Sequence, residues 1–205
     1  MFDSERPQVY EEVYAGLVQR LAGADLAGHA RDLGLEWRDG AALVPLLGRD
    51  NLVDKTGVRA LQGGPAAFTH RIVLAYYLLH GGRGEAAGRF VPYRELPGGA
   101  DFARNMALTV EGRLAQAFSG RLPQLLAASL ALGGAQAATQ ARVDLAIAFP
   151  ALPGLPLMIT FNDADEDFPA EAKLFYDLTA PNFLDLECLA VLGLILVLEL
   201  EAAAA

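Results

Sequence analysis

Two segments of this chain bring together residue types that could do chemistry. The first is FVPYRELPGGADFARN, Phe90 to Asn105. Arg83, Arg89, Arg94, Arg104, Arg113 and Arg121 fall in or near it, six of the 16 basic residues in a chain of net charge -9. Pro97, Gly98 and Gly99 precede an expected helix. Free N–H groups at a helix N-terminus suit an anion where glycines allow close approach. Arg94 could clamp a carboxylate or phosphate with two parallel hydrogen bonds, and Tyr93 and Glu95 stand beside it. The structural alternative is a Gly-Gly turn capped by Asp101, with Arg94 and Glu95 in an ion pair. Asp101 competes with an anion for the same N–H groups, and this alternative is the stronger of the two.

The second segment is Asn162-Asp163-Ala164-Asp165-Glu166-Asp167, a run of carboxylates after a predicted strand. Alternating carboxylates can hold a hard cation. A calcium loop of the helix-loop-helix kind fails here. The sixth position from Asp163 is Phe168 rather than Gly, and the twelfth is Leu174 rather than Glu. The bland expectation is a solvated acidic loop, with Asp163 or Asp167 capping a short helix after Pro169 and with Phe168 and Phe175 anchoring it to the core. No metal and no cofactor is called for. What stays of interest is Asp165 and Glu166 as partners for Arg94.

Other reactive types are sparse. His29, His70 and His80 show no metal-ligand spacing on one helix face, and His80 reads as structural at a helix end. Of the pair Tyr76-Tyr77, Tyr77 is the better functional candidate. The single cysteine, Cys188, sits in an apolar run and reads as an inert small hydrophobe. It also excludes an intramolecular disulfide or a four-thiolate cluster within one chain. No nucleophile elbow, P-loop or dinucleotide fingerprint occurs. Nucleophilic hydrolase, NTPase and Rossmann dehydrogenase chemistry are therefore disfavoured, and no catalytic residue is assigned.

The elements that must position these groups follow from periodicity. Tyr10, Val13, Tyr14, Leu17, Val18 and Leu21 make an amphipathic helix, and Asp25 is an N-cap for a second one ending at Gly34. The segment from Leu35 to Gly57 is cut by turn signals into short strands, with Pro45 better suited to an edge or bulge. Pro65 to Leu79, Asp101 to Phe118 and Pro123 to Leu132 read as helices, and Phe90 to Arg94 as a short strand. Val143 to Phe149 and Leu157 to Phe161 alternate and predict an antiparallel hairpin, with prolines preventing ladder bonds between them. A last helix runs from about Asn182. The order suggests two α-α-β-β-α halves, 1–82 and 99–201, joined by an irregular segment. The fold class is α+β in a single domain, helices on a mostly antiparallel sheet.

The 205 residues are 53% hydrophobic and 20% charged, which supports a sizeable core and argues against extended disorder. An acidic chain repels phosphate backbones, so nucleic acid is not an expected partner. The apolar run Cys188 to Leu198 is too short for a membrane span and reads as a buried helix or a homodimer contact. The polar start MFDSERPQVYEE has no signal-peptide core, so a cytoplasmic location is the default.

AYYLLHG (Ala75 to Gly81), VPYRELPGGADF (Val91 to Phe102), FPALPGLPLMITF (Phe149 to Phe161) and DADEDFPAEAKLFYD (Asp163 to Asp177) occur in that order. In these motifs the chain resembles an uncharacterised bacterial and archaeal domain-of-unknown-function family. The resemblance implies a family common in anaerobes, some members being fused to a four-cysteine iron–sulfur segment that this chain lacks. It places emphasis on Arg94, Glu95, Gly98, Gly99, Glu166, Phe168, Pro169, Phe175 and Asp177. The first functional expectation is a binding or accessory domain for an anionic small molecule or a redox or iron–sulfur partner protein. The second is a metal-independent enzyme, with Glu95, Asp165 and Glu166 as acid or base and Arg94 holding substrate. The third is a structural protein dimerising through its last helix.

Overall fold

The fold is built on two antiparallel sheets, seen in a computed structural model that describes residues 7–82 and 84–205. Arg83, counted above among the loop cations, lies outside the described residues. Helix α1 spans Pro7–Gly23 and α2 spans Leu26–Asp32. Asp25 caps α2 as expected, its Oδ1 accepting from Gly28 N at 3.0 Å. Four short strands follow: β1 Glu36–Arg38, β2 Ala41–Leu46, β3 Arg49–Asp54 and β4 Gly57–Ala60. They pair in sequence order as an antiparallel meander. Pro45 lies beyond the end of β1, which pairs only with Ala41 to Leu43. Its missing N–H therefore costs no ladder bond on that side. Helix α3, Phe68–His80, closes this part.

The second sheet has the order β5-β9-β8-β7-β6. Its strands are β5 Phe90–Pro92, β6 Ala135–Gln136, β7 Leu145–Leu152, β8 Leu155–Asn162 and β9 Glu171–Asp177. Between β5 and β6 come two 3-10 turns (Tyr93–Glu95 and Gly99–Phe102), then α4 Ala103–Met106, a π turn Ala107–Glu111, α5 Gly112–Phe118 and α6 Leu122–Ala131. Helix α7, Leu186–Ala203, ends the chain, N-capped by Asp185 through Cys188 N at 2.8 Å. Both sheets are antiparallel and carry helices, so the fold is α+β.

One sheet face forms the centre of the core. Leu145, Ile147 and Phe149 on β7 stand opposite Phe161, Ile159 and Leu157 on β8. Those in turn stand opposite Ala172, Leu174 and Tyr176 on β9. All nine are buried. Each large side chain among them contributes about 1.5–3 kcal/mol by leaving water. Helix α7 lies against this face at Gly193, where a Cβ would come within 2.6 Å of Leu174 Cδ2. The Tyr176 hydroxyl donates to Leu189 O at 3.0 Å. No helix among the described residues is long and apolar enough to cross a membrane.

Several expectations need correction. The segment after Pro169 is not a short helix but strand β9, because Ala172, Leu174 and Tyr176 alternate and β8 offers them an edge. The prolines of the hairpin do not hold its strands apart. Strand β7 continues through Pro150 with a register shift between Phe149 and Leu152, and the turn is confined to Pro153-Gly154. Strand β5 stops at Pro92, leaving Arg94 in a 3-10 turn. Phe168 does not anchor the acidic loop: it is 70% exposed.

Candidate functional site

The Tyr93–Gly99 loop is built around Tyr93. That side chain is buried, its hydroxyl donates to Leu186 O at 2.8 Å, and its ring meets Tyr176 edge-on at 5.6 Å between centroids. Burial, with the charges of Asp185 and Glu187 adding to it, pushes the phenol up to about 12. Gly99 is also buried, and its N–H donates to Leu96 O at 2.8 Å. It is therefore not free for an anion. Gly98 is exposed, with φ +79°. Arg94 and Glu95 are exposed and form no ion pair with each other or with another described residue. Asp101 does not cap the helix that follows.

The acidic loop folds largely on itself. Asp165 Oδ1 accepts from Asp167 N at 2.9 Å and Phe168 N at 2.7 Å. Asp163 Oδ1 accepts from Gly120 N at 2.6 Å, and Asp163 N donates to Asp144 Oδ2 at 2.8 Å. An open cleft of about 580 Å³ is lined by Asp144, Asn162, Asp163, Asp165 and Phe168 to Glu171. No residue of the Tyr93–Gly99 loop lines it, and Arg94 is paired with neither Asp165 nor Glu166. No group of three His, Cys, Asp or Glu side chains among the described residues could hold a metal ion.

Tyr77 offers no face to a ligand. It is fully buried, stacks on Phe183 at 6.4 Å, and donates to Pro153 O at 2.7 Å. It ties α3 to the β7–β8 turn. Tyr77→Phe should cost about 1–2 kcal/mol of unfolding free energy in urea titration, the size of one buried hydrogen bond, and should leave the near-surface clefts unchanged. Asp177, stressed by the family resemblance, is likewise structural. Its carboxylate is fully buried and accepts from Ala87 N, Gly88 N, Thr179 N and Thr179 Oγ1 at 2.6–2.9 Å. Cys188 is buried in α7, and burial raises its thiol well above the ordinary value.

A cleft that the sequence did not single out holds the best-assembled polar groups. It encloses about 490 Å³ between the start of β3, the β4–α3 loop and α7, and is lined by Arg49, Asn51, Gly63, Ala67, His70 and Glu199 among others. Glu199 projects from α7 with its side chain only 13% exposed. Its Oε1 lies 3.3 Å from His70 Nε2 on α3, and its Oε2 2.8 Å from an Arg49 terminal nitrogen on β3. The hydrogen bond with His70 does most to hold the Glu199 carboxyl below its ordinary value; burial opposes it and the Arg49 charge adds to it. Oε2 nonetheless has no well-aligned hydrogen bond. An imidazole oriented by a carboxylate, with a guanidinium beside it and a cavity in front, can bind a polar molecule or move a proton. Two sequence signals could have found it. Gly63-Gly64-Pro65 repeats the Gly-Gly-before-helix pattern, and Glu199 ends an otherwise apolar run.

The class is thus an α+β protein of two antiparallel sheets with a polar cleft where β3, α3 and α7 meet. A family model described as Domain of unknown function (DUF3786) matches residues 25–199, and the chain belongs to that family. No curated protein and no solved structure matches it.

Proposed function

We propose that this is a small-molecule binding domain whose site is the cleft of Arg49, Asn51, His70 and Glu199. The observation that carries this is the convergence of two basic side chains, Arg49 and His70, on the largely buried carboxylate of Glu199, the three coming from elements distant in sequence. Holding such a group costs desolvation that a purely structural cleft could avoid with apolar residues. In the wider reading the domain is cytoplasmic and accessory to redox proteins of an anaerobe. An iron–sulfur partner would then supply the cysteines that this chain lacks, because Cys188 is buried.

A second site is kept in view by the exposure of Arg94 and its freedom from ion pairs with described residues. One experiment separates the two. A thermal-shift screen of polar metabolites is run on the wild-type chain, Arg49→Ala and Arg94→Ala. Stabilising compounds should lose their effect in Arg49→Ala and keep it in Arg94→Ala. The reverse pattern moves the site to the Tyr93–Gly99 loop. If no compound stabilises any of the three, the binding reading fails.

A further inference from the structure

We infer that the cleft takes a small oxyanion, the carboxylate or phosphate group of a polar molecule, and that Glu199 fills its place when the cleft is empty. This rests on the binding reading above and names its ligand chemistry. Arg49 and His70 come from separate elements and meet on the same carboxylate. Glu199 therefore behaves as a tethered anion in a site built for one. The pairing is incomplete in a telling way: Oε2 is buried and close to Arg49, yet accepts no aligned hydrogen bond. The Arg49 side chain is 60% exposed, so it can present its guanidinium to an incoming anion at little desolvation cost.

Apart from the exposed carboxylate of Asp50, which also borders the cleft, the surroundings favour the same chemistry. Ala66, Ala67 and His70, at the N-terminal end of the 13-residue helix α3, line the cleft. Ala67 at the N-cap has no capping side chain, and the first turn has no acidic residue. The N–H groups of Phe68, Thr69 and His70 have no acceptor among the described residues. The partial positive charge of that end acts on whatever enters. Gly63, with φ +92°, adds no side chain of its own to the lining. Asn51 is 4% exposed and borders the cleft. Its amide nitrogen is spent on Arg49 O at 3.0 Å, while its carbonyl oxygen has no donor among the described residues. A ligand carrying a hydroxyl or ammonium beside its acid group would satisfy that oxygen.

The test is an amide NMR titration of the full chain with inorganic phosphate and, separately, acetate. Saturable shifts are expected at Ala66 to Arg71, the two probes distinguishing a phosphate from a carboxylate preference. Arg49→Ala should weaken binding roughly ten-fold or more, and Glu199→Gln should tighten it by roughly the same factor, one decade in affinity. Should Glu199→Gln fold poorly, Glu199→Ala serves instead, and acetate should raise its melting temperature more than that of the wild type. No saturable shifts at α3, or Glu199 variants that bind no tighter, overturn the inference. If uncharged compounds from the metabolite screen act through Arg49 while both probes are silent, the oxyanion falls and the binding reading stands.

Discussion

Asp177→Asn should destabilise the protein by about 3 kcal/mol or more, measured by urea unfolding at pH 7. The carboxylate is fully buried and receives four hydrogen bonds, three of them from backbone N–H groups of two separate loops. An amide of the same shape keeps one acceptor and turns the other into a donor. That donor would face either Gly88 N or Ala87 N together with the Thr179 pair, leaving buried N–H groups unpaired. The pH dependence follows the same geometry. Burial alone would raise the Asp177 carboxyl, but the bonds from Thr179, Ala87 and Gly88 outweigh it and hold it below the ordinary 3.8. In the unfolded chain the group takes up its proton near that ordinary value. The stabilisation is therefore complete above about pH 4 and is lost as pH falls through the depressed folded value. Glu199, also depressed, adds a loss of the same sign. Asp177→Asn should flatten the acid limb of the stability curve. An Asn variant within about 1 kcal/mol of wild type would show that the loop from Ala87 to Arg89 is held by other contacts.

Gly99→Ala should cost about 3 kcal/mol or more by the same measurement, whereas Gly98→Ala should cost about 1. A Cβ on Gly99 would lie inside van der Waals contact of the Tyr93 carbonyl oxygen, which is backbone and already accepts from Leu96 N at 3.1 Å. Relief would have to displace the 3-10 turn and with it the Tyr93 ring, its Leu186 hydrogen bond and its contact with Tyr176. Gly98 is exposed at φ +79°, and its added methyl would meet only the flexible end of Leu186 at 3.1 Å. Its cost is the backbone strain of a left-handed alanine. The contrast separates two roles for the Gly-Gly pair. A ligand cradle would make both substitutions harmful to binding and mild for stability. A close-packed turn makes Gly99 alone severe for stability.

How far the chain could be read depended on whether the signal was local. The alternation Val143 to Phe149 and Leu157 to Phe161 specified the β7–β8 hairpin, since one face had to be buried. The Asp25 cap of α2 and the left-handed Gly34 after it were also local and legible. Glu171 to Asp177 was misread because Pro169 followed by Ala, Glu, Lys and Leu has helix-start composition. The free edge of β8 decided otherwise, as tertiary pairing overrides propensity in short segments. Phe168 could not be placed at all from sequence, because an aromatic residue in a loop is equally compatible with core and solvent.

The candidate site divides along the same line. Arg94, Glu95, Gly98 and Gly99 attracted notice because they are adjacent, and adjacency is all that a single sequence displays. The tertiary structure spends Gly99 on packing and leaves Arg94 and Glu95 in solvent. It buries Tyr77 and Tyr93 as ties between elements. By itself the sequence determined the α+β class, the helix stops, the central hairpin and the lack of a thiol framework, all of which rest on composition or short periodicity. Only the folded chain decided that Arg49, His70 and Glu199 share one cleft. Those residues lie on β3, α3 and the last turns of α7, and no periodicity links them. They meet because α7 must bury its apolar length against the sheet face and α3, which carries its one cleft-facing carboxylate to the start of β3.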